Sequence, residues 1–96
     1  MAYNRMPDTI LTGTLAVTDT AAALGDSTGI TDMVLQADPD NGAVDVFVGN
    51  ADLQPIQLSA GQTFSILANN ISLLYCKTAT GTATINWIGR RDGVAI

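Results

Sequence analysis

From Leu11 to Ile88 apolar residues recur at every second position in short runs, and each run is cut by Gly, Asn, Asp or Pro. Successive side chains on a β-strand point to opposite faces of a sheet, so this period marks half-buried strands. Leu11, Gly13, Leu15 and Val17 alternate with Thr12, Thr14, Ala16 and Thr18. The same pattern returns at Met33, Leu35 and Ala37, at Val44, Val46 and Val48, and at Phe64, Ile66 and Ala68. It closes with Ile71, Leu73 and Tyr75, then Ala83, Ile85 and Trp87. Pro55-Ile-Gln-Leu58 reads as a short edge piece, where a residue without an N–H is tolerated. Asn41-Gly42 favours the positive φ angles of a tight turn and predicts a hairpin joining Met33–Ala37 to Val44–Val48. Thr20 to Leu24, with three alanines and Gly25 behind it, predicts one helical turn.

Short strands with turns at spacings of about 8–12 residues predict an all-β fold. The expectation is a small antiparallel β-sandwich or β-barrel of six to seven strands over residues 10–89. Residues 1–9 form an extended N-terminal arm and residues 90–96 a C-terminal tail. Neither end supplies a self-contained element, so the domain or a neighbouring chain must hold it. Tyr3, Met6, Val94 and Ile96 are the candidate apolar anchors at a subunit interface, and Arg5, Arg90 and Arg91 the candidate pairing groups.

The chain has no histidine, its nine acidic residues are all aspartate, and its single cysteine is Cys76. General acid–base catalysis at neutral pH draws mostly on His or a tuned Glu, and nucleophilic catalysis on Cys or Ser beside a base. Ser59, Ser65 and Ser72 have no such base in the sequence, and Cys76 reads as a buried structural thiol. No catalytic, cofactor-binding or metal-ligating set is expected. Asp38, Asp40 and Asp45 crowd one loop, but an EF-hand counted from Asp38 needs glycine sixth and glutamate twelfth, where Ala43 and Gly49 stand. Ordinary turn chemistry is the expectation there.

The formal charge of −5 repels phosphate backbones and argues against nucleic-acid partners, with Arg90-Arg91 the one local exception. No apolar run approaches the roughly 20 residues that span a bilayer. Met1-Ala-Tyr-Asn-Arg lacks the apolar core of a secretion signal, so synthesis in the cytoplasm is expected. Charged residues make up 14% of the chain against about 25% in an average soluble protein. Two readings fit that shortage: a surface partly covered by partners, or a surface built of Thr, Ser, Asn and Gln. A lone cysteine allows no intrachain disulfide, so stability comes from the core or from assembly.

From Val34 to Gly89 the order of elements resembles small virion structural proteins of tailed bacteriophages. The resemblance rests on Val34-Leu-Gln-Ala-Asp-Pro-Asp-Asn-Gly-Ala-Val-Asp-Val-Phe-Val-Gly49, the turn Leu58-Ser-Ala-Gly61-Gln-Thr-Phe-Ser-Ile66, then Asn70-Ile-Ser-Leu-Leu-Tyr75, Thr80-Gly81 and a closing strand near Trp87. It implies a capsid decoration (cement) protein on the particle surface that binds the major capsid protein and stabilises the head lattice as a homotrimer, without catalysis or cofactor. The alternative it implies is a tail or head-fibre component that binds host-surface glycan. For that role Trp87 or Tyr75 would form an exposed ring beside the polar loop Gly49 to Gln54, whereas their phase with Ile85 and Leu73 places them in the core.

Overall fold

The computed structural model describes residues 9–91. Tyr3, Arg5, Met6, Val94 and Ile96 lie outside the described residues, and so do most of both arms. The chain forms strands β1 (Thr9–Val17), β2 (Ala22–Ala23), β3 (Asp32–Ala37), β4 (Val46–Gly49), β5 (Ile56–Leu58), β6 (Thr63–Ile66), β7 (Tyr75–Lys77) and β8 (Ala83–Arg91). They pair antiparallel in two four-stranded sheets, β1-β8-β3-β6 and β2-β7-β4-β5. The fold is all-β as expected, and two separate sheets make it a sandwich rather than a closed barrel.

Alternation explains the core directly. Met33, Leu35 and Ala37 from β3 and Ala83 and Ile85 from β8 point inward from the first sheet. Val46 and Val48 from β4, Leu58 from β5 and Cys76 from β7 meet them from the second. Leu24, Ile30, Ile71 and Leu74 close the ends from loops. Fully burying one such aliphatic side chain contributes about 1.5–3 kcal/mol, and this set supplies most of the driving force. Trp87 packs at the margin of the core, with its indole over Gly13 on the paired strand. A Cβ on Gly13 would lie 2.7 Å from the indole Nε1, so glycine makes room for the ring.

Four local expectations are corrected. The hairpin between Met33–Ala37 and Val44–Val48 does not form: β3 pairs with β8 and β6, while β4 belongs to the other sheet. Pro39–Asn41 makes a 3-10 turn that carries the chain across the sandwich, and Asp38 caps it by accepting from the Asp40 N–H at 2.8 Å. Gly42 takes the positive φ of 65°, but no described non-glycine residue does, so Asn41 is not half of a two-residue hairpin turn. Its amide instead docks on β8, donating to the Thr84 carbonyl at 2.9 Å and accepting from the Thr84 N–H at 2.8 Å. That side chain continues the β3–β8 ladder beyond the end of β3.

The helical turn at Thr20–Leu24 is replaced by β2, whose Ala22 and Ala23 pair with Cys76 and Tyr75. The Leu24 N–H then donates to the Leu74 carbonyl at 2.8 Å. Tertiary pairing outweighs the weak helix preference of three alanines. The strand expected from Ile71 to Tyr75 is a 3-10 turn over Ile71–Leu73 followed by β7. Asn70 caps that turn, accepting from the Ser72 N–H at 2.9 Å and from the Thr28 N–H at 3.0 Å. The turn shifts the phase, so Leu74 and Cys76 are buried while Leu73 is exposed and Tyr75 only half-buried. Finally, β8 does not stop at Gly89, because Arg90 and Arg91 pair with Ile10 and Thr9. Strand, not tail, holds both arginines.

Candidate functional site

The outward face of the first sheet is where the sequence pattern and solvent disagree. Ile10 on β1, Val34 on β3 and Ile88 on β8 occupy the phase that should be polar, and they are 60%, 37% and 48% exposed. The register sets them side by side. One row across the sheet runs Thr12, Ile88, Val34, Ser65, and the row above it runs Ile10, Arg90, Asp32. Leu67, just past β6 and 80% exposed, joins the same patch. All of these but Thr12 line a shallow depression of about 420 Å³.

Charge is nearly absent from this face. Arg90 approaches Asp32 with Nε to Oδ1 at 3.5 Å, both side chains being well exposed. An exposed pair of this kind is worth about 0–1 kcal/mol, so it neutralises and orients more than it stabilises. The neighbouring row, Thr14, Asn86, Gln36 and Thr63, is polar but uncharged. Asn86 donates to Asp38 Oδ2 at 3.0 Å.

A second apolar cleft of about 540 Å³ opens between the edge strands β5 and β6. Ile56, Phe64, Ile66, Ala68 and Leu74 form its walls, and Leu67 lines both this cleft and the first depression. The apolar surface therefore wraps from the outer face around the β6 edge.

Of the predicted interface groups, Arg90 is brought to the patch, and Arg91 alternates to the other side of β8. The patch itself was not singled out in the sequence. Its signal was present as apolar residues in consecutive positions, Ile10-Leu11, Met33-Val34-Leu35 and Trp87-Ile88, where strict alternation would put a polar residue.

The candidate chemistries resolve into structural work. Among the described residues no three His, Cys, Asp or Glu side chains gather as a metal site. Asp38 caps its turn, and its carboxyl is held below the usual range by the Asn86 amide and the Asp40 N–H. Asp45 instead accepts from Gln57 at 2.6 Å. Ser72 Oγ donates to Asn70 Oδ1 at 2.8 Å. Burial pushes the Cys76 thiol up to about 12, which keeps it protonated and unreactive at neutral pH. Trp87 packs against the core of the first sheet and Tyr75 sits on the second, opposite in phase to buried Cys76. The two rings do not join in one platform, and the loop Gly49 to Gln54 folds on itself, with Asn50 Oδ1 accepting from the Asp52 and Leu53 N–H groups.

What this arrangement can do is bind by area, through a neutral apolar face rimmed by Thr, Asn and Gln. In comparisons with known proteins, no family model, no curated protein and no solved structure matches the chain.

Proposed function

We propose that this chain is a non-catalytic virion structural protein, a capsid decoration protein that docks the outer face of its first sheet on the major capsid protein and reinforces the head lattice. The observation that carries the docking face is the exposed cluster of Ile10, Val34, Ile88 and Leu67 around a self-neutralised Arg90–Asp32 pair. Four large apolar side chains on a charge-poor face lose water favourably against a flat partner. The choice of a phage particle as that partner rests on the resemblance carried by Val34 to Gly89. The surface of the particle is then where the protein resides. The glycan-binding alternative needs Trp87 or Tyr75 as an exposed ring, and it is weakened because Trp87 packs against the core and Tyr75 is half-buried.

The test mixes purified protein with undecorated, expanded capsids and sediments them. Wild type is expected in the pellet, and V34D/I88D in the supernatant with an unchanged far-UV circular dichroism spectrum. Wild-type protein that stays in the supernatant at micromolar concentration, with capsid sites open, would overturn the reading.

A further inference from the structure

The longest strand of the sheet edge is also the least protected. β1 spans nine residues, Thr-Ile-Leu-Thr-Gly-Thr-Leu-Ala-Val, and lies at the end of the first sheet with only β8 beside it among the described residues. Edge strands in soluble proteins are ordinarily blunted by a charge, a proline, a bulge or shortness. β1 has none of the four. Its register with β8 runs unbroken from Thr9–Arg91 to Val17–Ala83, so no bulge twists it away.

The strand reads nearly the same in both directions about Gly13. Reversed against a second copy, Leu11 meets Leu15 on the core side, Thr12 meets Thr14 on the outer face, and Ile10 meets Ala16. Leucine–leucine and threonine–threonine are favourable cross-strand pairs, and no like charges oppose each other. Gly13 would face Gly13, with the Trp87 indole of each copy over its own glycine. Such aromatic cover compensates for the missing side chain of an edge glycine. Outside the strand, Asp8 and Asp19 bracket the uncharged run in the sequence, and the reversed register sets neither against another aspartate.

We propose that two copies of this chain pair antiparallel through β1 about a two-fold axis at Gly13, joining their first sheets into one eight-stranded sheet. An antiparallel ladder makes on average one backbone hydrogen bond per residue pair. Nine pairs therefore approach the roughly ten hydrogen bonds of an ordinary protein interface. The axis is normal to the sheet, so both outer faces point the same way and the two Ile10–Val34–Ile88 patches lie on one side. A flat partner would then be gripped twice, which raises avidity without a new kind of contact. The pairing itself does not rest on the virion reading and holds for any such partner.

The test is the solution mass of the full chain by analytical ultracentrifugation, with circular dichroism as the check on folding. Wild type is expected at about 20 kDa, two copies of 10.0 kDa each. Because position 12 faces position 14 of the other copy, T12K/T14K sets like charges opposite each other twice, and it should weaken the dimer roughly tenfold or more. T12D/T14D should do the same with the opposite sign. T12K/T14D places opposite charges in both pairs and should restore the dimer. Both positions changed here are exposed in a single copy, and a variant that lost its fold would be replaced in the comparison by its opposite-sign partner. A monomeric wild type, a trimer of about 30 kDa, or a mass unchanged across the like-charge variants would each overturn the pairing.

Discussion

Asn41 should be worth far more to this fold than a loop asparagine ordinarily is. Its amide makes two bonds with the backbone of Thr84, at 2.9 and 2.8 Å, just past the end of β3, where the Thr84 carbonyl also accepts from the Asp38 N–H at 3.0 Å and the Thr84 N–H bonds to the Asn41 oxygen. A hydrogen bond contributes about 1 kcal/mol net, so Asn41→Ala should cost about 2 kcal/mol. For a domain of this size each kcal/mol moves Tm by about 4–8 °C, which sets the expected drop at about 8–16 °C. Asn41→Asp isolates the donor. It keeps the acceptor for the Thr84 N–H but turns a carboxylate oxygen toward the Thr84 carbonyl, so it should lose at least the one bond at pH 7. Facing a carbonyl disfavours the charged form and raises the folded-state pKa of the introduced carboxyl above its unfolded value near 3.9. The penalty is then full above the folded pKa and shrinks as pH falls toward the unfolded one, where the protonated carboxyl can donate again. Thermal unfolding by circular dichroism at pH 7 and near pH 4 reads both effects. An Asn41→Ala variant within the roughly 0.5 kcal/mol scatter of surface substitutions would refute the argument.

Gly49→Ala should be more severe than Gly13→Ala. A Cβ on Gly49 meets the Leu53 carbonyl and comes within 2.6 Å of the Gln54 Cα, which is backbone and cannot rotate away, so the cost belongs at the top of the about 1–3 kcal/mol range for overpacking or beyond it. A urea midpoint equal to wild type would show that the 50–54 loop is not seated as described. Cys76 should resist a disulfide reagent at pH 8 in the native protein and react fully in urea, since its thiol is pushed up to about 12 by burial; native reaction at the rate of a free thiol would contradict its burial. The Asp38 carboxyl, held low by Asn86 and the Asp40 N–H, should titrate below its unfolded value in an NMR experiment. Its contribution to stability is present above the unfolded pKa and lost as pH falls through the folded one, so Asp38→Asn should flatten the acid side of the stability curve. A midpoint at or above about 3.9 would remove that argument.

The strands were legible because a half-buried sheet imposes period two on each strand separately. Leu11 to Val17 and Ala83 to Trp87 need no knowledge of their partners to be read. Pairing was not legible in the same way. Asn41-Gly42 between two alternating runs carries every local mark of a hairpin, yet the chain crosses from one sheet to the other there. Whether an asparagine supplies a positive φ or lends its amide to a distant strand depends on Thr84, 43 residues away. β2 was missed because two alanines carry no periodicity, and the Ile71–Leu73 turn was missed because one irregular step inverts the phase of all that follows. The exposed apolar face escaped for a related reason: Val34 and Ile88 look like interruptions of a pattern until the register sets them side by side.

Charge placement connects the two surfaces. Six of the aspartates, Asp19, Asp26, Asp38, Asp40, Asp45 and Asp52, lie in loops and turns between strands, and Asp32, the one on a described strand, is paired with Arg90. The negative field therefore surrounds the ends of the sandwich, while the outer face of the first sheet and the β1 edge carry almost none of it. Copies approaching end to end bring these aspartates together and repel, whereas among the described residues β1 carries no charged side chain and the outer face only the Arg90–Asp32 pair. The shortage of charge that the composition leaves ambiguous is thus two things in two places. Around β1 it is a neutral surface of threonine, and at Ile10, Val34 and Ile88 it is an apolar one. Among the described residues, the aspartates that keep the loops in water thus leave the outer face of the first sheet and the β1 edge as the surfaces that meet the least repulsion from a second copy.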